Sequence, residues 1–219
     1  MTIDYADFTR ASNLIHSLQG AALILLGAAE AYALDNKGRG AALAAGFALA
    51  ISGVAMLAVM VAYPGGGSLE QLSAALNLRR GFYLFIAFAC LFTGAGLSLL
   101  TRVAVGREGG GWQTTFLGLL AFAACLYFMM ASRVNEAAWR EVLARHSAIG
   151  GALLLAVLAK TAHGFSPKRA LHVVWATLLL LAGLQLVAYR ESDSSFGPRQ
   201  VTIESSPAAG LPARTSPVK

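Results

Sequence analysis

The sequence has few charged residues for its length. Asp, Glu, Lys and Arg make up 13% of the 219 residues, and hydrophobic residues make up 57%, whereas a soluble globular domain carries about 25% charged residues. Because so few charges cannot cover a water-facing surface, we expect the lipid bilayer to be the solvent of this chain. The net charge of +6 is spread over short loops and the C-terminal segment, which argues against nucleic acid as a partner and favours contact with anionic lipid headgroups.

Cysteine is nearly absent as well. Cys90 and Cys125 lie inside two apolar runs, and neither has a second thiol nearby in sequence. This spacing gives no support to a disulfide or an iron–sulfur site, and we expect both to be small buried apolar residues. A basic n-region is also missing from the acidic start MTIDYADFTR, so the first apolar helix is expected to be retained rather than cleaved as a signal peptide.

Long uncharged runs are what the sequence has instead. They cover residues 11–29, 40–69, 81–101, 109–132, 146–159 and 170–189. A helix needs roughly 20 apolar residues to cross the hydrocarbon, and the fifth run reaches that length if it continues past Lys160 to His163. The runs are continuous rather than alternating and are rich in Ala and Leu, which excludes transmembrane strands. The sequence therefore predicts an all-α integral membrane protein, a six-transmembrane-helix bundle with both termini on the same side.

The flanking segments complete the predicted organisation. Residues 1–10 form an N-terminal segment, residues 11–190 the transmembrane domain, and residues 191–219, rich in Ser, Pro and Gly, a disordered tail. Lys and Arg are more numerous on the side of the termini than on the opposite side, which predicts that both termini lie in the cytoplasm. The expected location is a bacterial cytoplasmic membrane. Residues 68–78 predict a short interfacial helix, and residues 132–145 predict an amphipathic surface helix with Trp139 in the headgroups.

The same pattern opens two apolar helices, HSLQG at residues 16–20 and HSAIG at residues 146–150. Both helices cross the membrane in the same direction, so His16 and His146 lie toward the same side of it. Gly20 follows His16 by four residues, and Gly150 follows His146 by four, so each glycine lies on the same helix face as its histidine. A histidine beside a glycine groove can ligate iron while the porphyrin edge approaches the backbone, so the pair predicts a haem b site. The alternative is structural, because glycines at this spacing also pack bare helices together.

The other polar residues of the spans lie at the opposite end of the bundle or near helix ends. His163 and His172 flank a short turn and predict ligands for a second haem, although His146 and His163 do not share a helix face. Glu30 and Lys160 predict an ion pair, or a site of proton entry or quinol deprotonation. Gln185 predicts a contact to an imidazole or to a quinone carbonyl.

Residues 145–191, RHSAIGG…KTAHGFSPKRALHVVWATLLLLAGLQLVAYRE, resemble membrane b-type cytochromes, such as the cytochrome b561 and CopD-like groups. The resemblance implies haem b, with axial ligation at His16 and His146 and second ligands at His163 and His172. It also implies electron transfer between a quinol or small reductant and a redox partner. The sequence departs from that pattern because helices two, three and four contain no histidine.

Three functions follow from these observations. The first is a haem electron carrier, as the membrane subunit of a larger redox complex. The second is a non-catalytic integral subunit or assembly factor whose glycine-rich faces bind other membrane subunits. The third is a small-molecule transporter with a path lined by His16, Gln19, Glu30 and Lys160, although the spans show no inverted repeat. The sequence leaves open whether the protein is an enzyme.

Overall fold

The computed structural model describes residues 5–36, 38–106, 110–192 and 195–196, and these residues form helices and their connections without any strand. The helices are α1 (Tyr5–Tyr32), α2 (Arg39–Ala62), α3 (Leu69–Leu78), α4 (Tyr83–Val105), α5 (Gly110–Met129), α6 (Glu136–Phe165) and α7 (Arg169–Ala188). All except α3 are long and apolar enough to cross a membrane, so the predicted six-span bundle is confirmed.

The six spans form a closed ring. Each span packs against the next one along the chain, and α7 packs against α1 to complete the circle. Large apolar side chains such as Phe47, Ile51 and Leu155 lie exposed on the outside, where lipid solvates them, whereas Phe88 and Trp175 are fully buried inside. The interior of the ring is thus filled by side chains.

Glycines allow a close contact between α1 and α7. A Cβ atom on Gly20 would lie 2.6 Å from the carbonyl oxygen of Gly183, and a Cβ on Gly183 would lie 2.7 Å from that of Gly20. Neither position has room for a side chain, so α1 and α7 touch backbone to backbone. This contact is the small-residue packing typical of membrane helices.

Two helices are longer than their uncharged runs. Helix α1 begins at Tyr5, inside the predicted N-terminal segment, and α6 begins at Glu136 and continues for 30 residues. The predicted separate surface helix was therefore wrong at its C-terminal boundary, because its residues continue into the fifth span. Arg140 is exposed while Val142 is buried, so the charges occupy one face and do not interrupt the helix. The short helix predicted over residues 68–78 is confirmed as α3, and its location at the membrane interface stays a prediction.

Part of the predicted tail lies against the bundle. Glu191, Ser195 and Phe196 are buried, and the Phe196 ring packs on that of Phe82, with 5.0 Å between centroids. The rest of the segment predicted to be disordered, residues 193–194 and 197–219, lies outside the described residues.

The two cysteines differ from the prediction. Cys90 and Cys125 are free and exposed, so the expectation that they are buried was wrong. An apolar run in a membrane helix looks the same on its lipid face as on its inner face, and the sequence therefore does not assign a small apolar residue to either.

Candidate functional site

A pair of histidines lies inside the ring. His16 on α1 and His146 on α6 are both 0% exposed, and their Nε2 atoms are 3.1 Å apart. The edges of Phe85 and Tyr189 pack around the His16 ring. Two imidazoles from different spans therefore contact each other directly in a site closed to solvent.

The hydrogen-bond partner of His146 determines where its proton lies. Its Nδ1 is 2.8 Å from the carbonyl oxygen of Val142, one turn earlier on α6. Since a carbonyl can only accept, Nδ1 carries the hydrogen, and in the neutral ring Nε2 then presents its lone pair to His16. His16 must therefore supply the hydrogen of the contact between the two rings.

The other ring nitrogen of His16 faces a buried ion pair. Its Nδ1 lies 3.4 Å from the hydroxyl of Ser12, and that hydroxyl donates to the Glu191 carboxylate at 2.7 Å. Arg133 donates to the same Glu191 oxygen at 2.7 Å and to Ser12 at 3.1 Å. The side chains of Arg133 and Glu191 are both 0% exposed, and Tyr189 donates to the second carboxylate oxygen at 2.9 Å.

The surroundings of Glu191 keep it ionised. Burial alone would raise the pKa of this carboxyl, but the Arg133 guanidinium and the hydrogen bonds from Ser12, Arg133 and Tyr189 outweigh burial and hold the pKa below its usual value. Burial, together with the adjacent Glu191 carboxylate, raises the pKa of Tyr189. Tyr189 therefore stays a protonated donor and Glu191 an acceptor.

A count of hydrogens shows that this chain of groups is one short. The contacts Glu191–Ser12, Ser12–His16 and His16–His146 each need one hydrogen. With both imidazoles neutral, only the Ser12 hydroxyl and one His16 N–H supply them, since the ring hydrogen of His146 is bound to Val142. The Ser12–His16 contact, at 3.4 Å, is the longest of the three. The geometry matches a chain able to take up one further proton, at Nδ1 of His16.

Unpartnered donors also lie inside the ring, among them the side-chain nitrogens of Gln19 and Trp175. Tyr127 donates to Gln19 Oε1 at 3.0 Å, which leaves the Nε2 of Gln19 without a partner. The indole nitrogen of Trp175 also lacks one within the described part of the chain. Since an unsatisfied polar group in an apolar interior is costly, both atoms mark places where water would bind.

A second polar cluster lies at the far end of α1. Lys160 binds Glu30 Oε2 at 2.6 Å, so the predicted ion pair is confirmed. His172 binds the same oxygen at 3.0 Å, and the ring of His163 packs on that of His172 at 5.2 Å. Glu30 follows His16 by 14 residues, which corresponds to about 21 Å along the helix.

The arrangement around the histidine pair does not fit haem b. Imidazole nitrogens bind a transition metal at about 2 Å, so two axial ligands of one iron need roughly 4 Å between them, and the observed distance is 3.1 Å. The glycines also leave no slot for a macrocycle, because a Cβ on Gly20 would meet Gly183 and one on Gly150 would lie 2.8 Å from Ala124 O.

The other predicted ligands are engaged elsewhere. His172 Nε2 is occupied by Glu30 and His163 Nδ1 contacts the carbonyl of Lys168 at 3.1 Å. Over the residues that the structure describes, no three His, Cys, Asp or Glu side chains are grouped to hold a metal ion. Gln185 does not reach either imidazole; it has an unpartnered Oε1 and lines a cavity of about 290 Å³ with Tyr189. Haem b and a quinone remain predictions of the sequence alone.

The sequence did not predict the residues that surround His16 and His146. Ser12 and Tyr127 carried no signal, and Tyr189 counted only as an aromatic residue near a span end. Arg133 counted only as a loop charge, and Glu191 belonged to the segment predicted to be disordered. The ion pair between those two forms because the turn after α5 and the segment after α7 meet beside the histidines. No family model, curated protein or solved structure matches the chain.

Proposed function

We propose that this integral membrane protein relays protons through its ring of six helices. The observation that carries the proposal is the hydrogen-bonded chain from Glu191 through Ser12 and His16 to His146, which is one hydrogen short. Ionisable residues inside a membrane bundle are costly and usually functional, and histidine is the side chain best suited to exchange protons near neutral pH.

The proposed step begins at the Glu191 end. A proton delivered there passes through the Ser12 hydroxyl to Nδ1 of His16, and His16 releases its Nε2 hydrogen to Nε2 of His146. Glu191, Ser12 and His16 each give up one hydrogen as they receive one, and the proton ends on His146, which becomes an imidazolium with its Nδ1–H on the Val142 carbonyl. Arg133 keeps Glu191 and Ser12 in position.

The Glu30 cluster is the proposed partner site at the opposite end. Its carboxylate is held by Lys160 and His172, and the unpartnered nitrogens of Gln19 and Trp175 lie on buried side chains of the intervening interior. Gln19 continues the histidine end, since Tyr127 donates to it and packs beside the His146 ring, and Trp175 lies beside Lys160 at the Glu30 end. A relay of this kind needs no open channel.

The filled interior favours a proton over a larger solute. Leu23, Phe88 and Leu153 are 0% exposed, so side chains occupy the space that a transported molecule would need. A proton moves between neighbouring groups by exchange of hydrogen bonds and needs no such space. The electron-carrier prediction receives no comparable support from the site, and neither does the assembly-factor prediction.

Proton flux into proteoliposomes tests the proposal. The purified protein is reconstituted with a pH-sensitive dye inside the vesicles, and a potassium gradient with valinomycin sets the membrane potential. We expect acidification faster than in empty vesicles, with the flux of His16→Asn reduced by about tenfold or more, in keeping with loss of a proton-transfer group.

The control is Glu70→Gln, which removes an exposed titratable side chain on α3, outside both clusters. It should retain most of the wild-type flux, and circular dichroism should show that all three proteins are equally helical. Wild-type vesicles no faster than empty ones would refute the proposal, and so would full flux in His16→Asn.

A further inference from the structure

A second candidate site lies at the Glu30 end of the ring. A cavity of about 270 Å³ reaches down to the Glu30–Lys160 pair between the ends of the helices. Leu26 and Leu99 form part of its apolar wall, and its polar lining consists of Glu30, Asn36, Arg39, Arg102, Lys160 and His172. The cavity is thus lined by three cationic side chains and one carboxylate.

The charges in this cavity do not balance. Lys160 and Glu30 neutralise each other, and Arg102 donates to the Gln113 amide. Neither Arg39 nor Arg102 forms an ion pair with any carboxylate within the described ranges. Two guanidinium groups therefore face the same concave space, and no carboxylate among the described residues pairs with either of them.

We infer that this cavity binds an oxyanion, a phosphate or a carboxylate group. Guanidinium groups present paired N–H donors that match the oxygens of both anions. Asn36 adds an amide donor at the rim, and Lys160 adds an ammonium group at the base. The group belongs either to a small solute or to an anionic lipid headgroup, since the cavity lies at the end of the spans.

The position of the cavity gives the anion a consequence, which rests on the proposed proton relay. An anion that contacts the Lys160 ammonium group competes with Glu30 for it. The attraction between Lys160 and the Glu30 carboxylate is then weaker. The titratable and charged groups around Glu30 are Lys160 and His172, with His163 behind His172 and the two arginines at the cavity wall. Anion binding would thereby loosen the contact between Lys160 and Glu30.

Binding is measured on the full chain in detergent, without any gradient, so the result is independent of proton flux. Calorimetric titration with inorganic phosphate and with succinate tests the free solute. Melting temperatures in nanodiscs of phosphatidylglycerol against phosphatidylcholine test the headgroup. We expect saturable binding of a free anion, or a higher melting temperature in phosphatidylglycerol than in phosphatidylcholine. Arg102→Gln removes a charge-assisted contact and should weaken the binding about tenfold or more.

The control is Arg140→Gln, which removes the same charge from an exposed position on α6. It should bind like the wild type. The inference is overturned if neither free anion nor anionic lipid has an effect. It is equally overturned if Arg102→Gln and Arg140→Gln weaken binding to the same extent, because binding would then follow only the net charge.

Discussion

His16 and His146 lie on helices that are not neighbours in the ring, yet their Nε2 atoms are 3.1 Å apart. The contact crosses the interior of the ring and joins α1 to α6 through their side chains. Each histidine lies about three turns from the start of its helix, Tyr5–Tyr32 or Glu136–Phe165. The pair is therefore buried from both ends of the bundle.

Gly150 and its neighbour Gly151 give a matched test of the packing role of the repeated glycine. A Cβ on Gly150 would lie 2.8 Å from the carbonyl oxygen of Ala124, whereas a Cβ on Gly151 meets nothing within 4 Å. Gly150→Ala should lower the free energy of unfolding by about 1–3 kcal/mol, and Gly151→Ala should not lower it. Thermal unfolding in detergent measures both, and equal stability of the two variants would contradict the packing role.

The buried pair of Arg133 and Glu191 should dominate the stability of the histidine end. Arg133→Gln leaves the carboxylate buried without its cation, which costs about 3–5 kcal/mol. Replacing both residues, as in Arg133→Met with Glu191→Leu, should restore part of that loss. The control is Arg145→Gln, which breaks an exposed pair and should cost less than about 1 kcal/mol. A double variant less stable than Arg133→Gln would show that the pair is not the cause.

Acid should weaken the protein through Glu191. Its folded pKa lies below the usual 4.5, so its contribution to stability is full above pH 4.5 and is lost as pH falls through the folded value. The melting temperatures of wild type and Glu191→Gln should therefore differ most near neutral pH and converge in acid. Glu141→Gln, at an exposed position, should follow the wild type throughout, and a constant gap down to pH 3 would contradict the assignment.

Absorption spectra test the haem prediction of the sequence. From the 3.1 Å contact and the filled glycine positions, we expect protein expressed with ample haem to show no reduced haem b bands after dithionite addition. Bands that are present in the wild type and absent from a His16→Ala, His146→Ala variant would contradict this geometry. Such bands would support the electron-carrier function instead of the proton relay.

The fold was more predictable than the site, for a physical reason. Charge scarcity and run length determine whether a segment crosses a bilayer, so all six spans could be located from composition. Glu30 and Lys160 could be paired because both lie at the same end of their helices in a medium that does not tolerate lone charges.

The site was harder to predict because the sequence does not show which way a side chain points. Gly20 has the spacing of a cofactor groove and of a helix contact alike, and only the position of α7 decides between them. Glu191 belongs to a segment of disordered composition, yet its carboxylate turns back to Arg133, 58 positions earlier. No local pattern records such a contact.

The most direct test of the account is ¹⁵N NMR of histidine-labelled protein in lipid, recorded while the pH is lowered, with His16→Ala and His146→Ala for assignment. At neutral pH we predict a hydrogen on Nδ1 of His146 and on Nε2 of His16, with Nδ1 of His16 bare. In acid, Nδ1 of His16 should gain a hydrogen. The charged and titratable groups around the pair are Arg133, Glu191, Tyr127 and Tyr189. A His16 ring that keeps the same nitrogen protonated at every pH would contradict the relay.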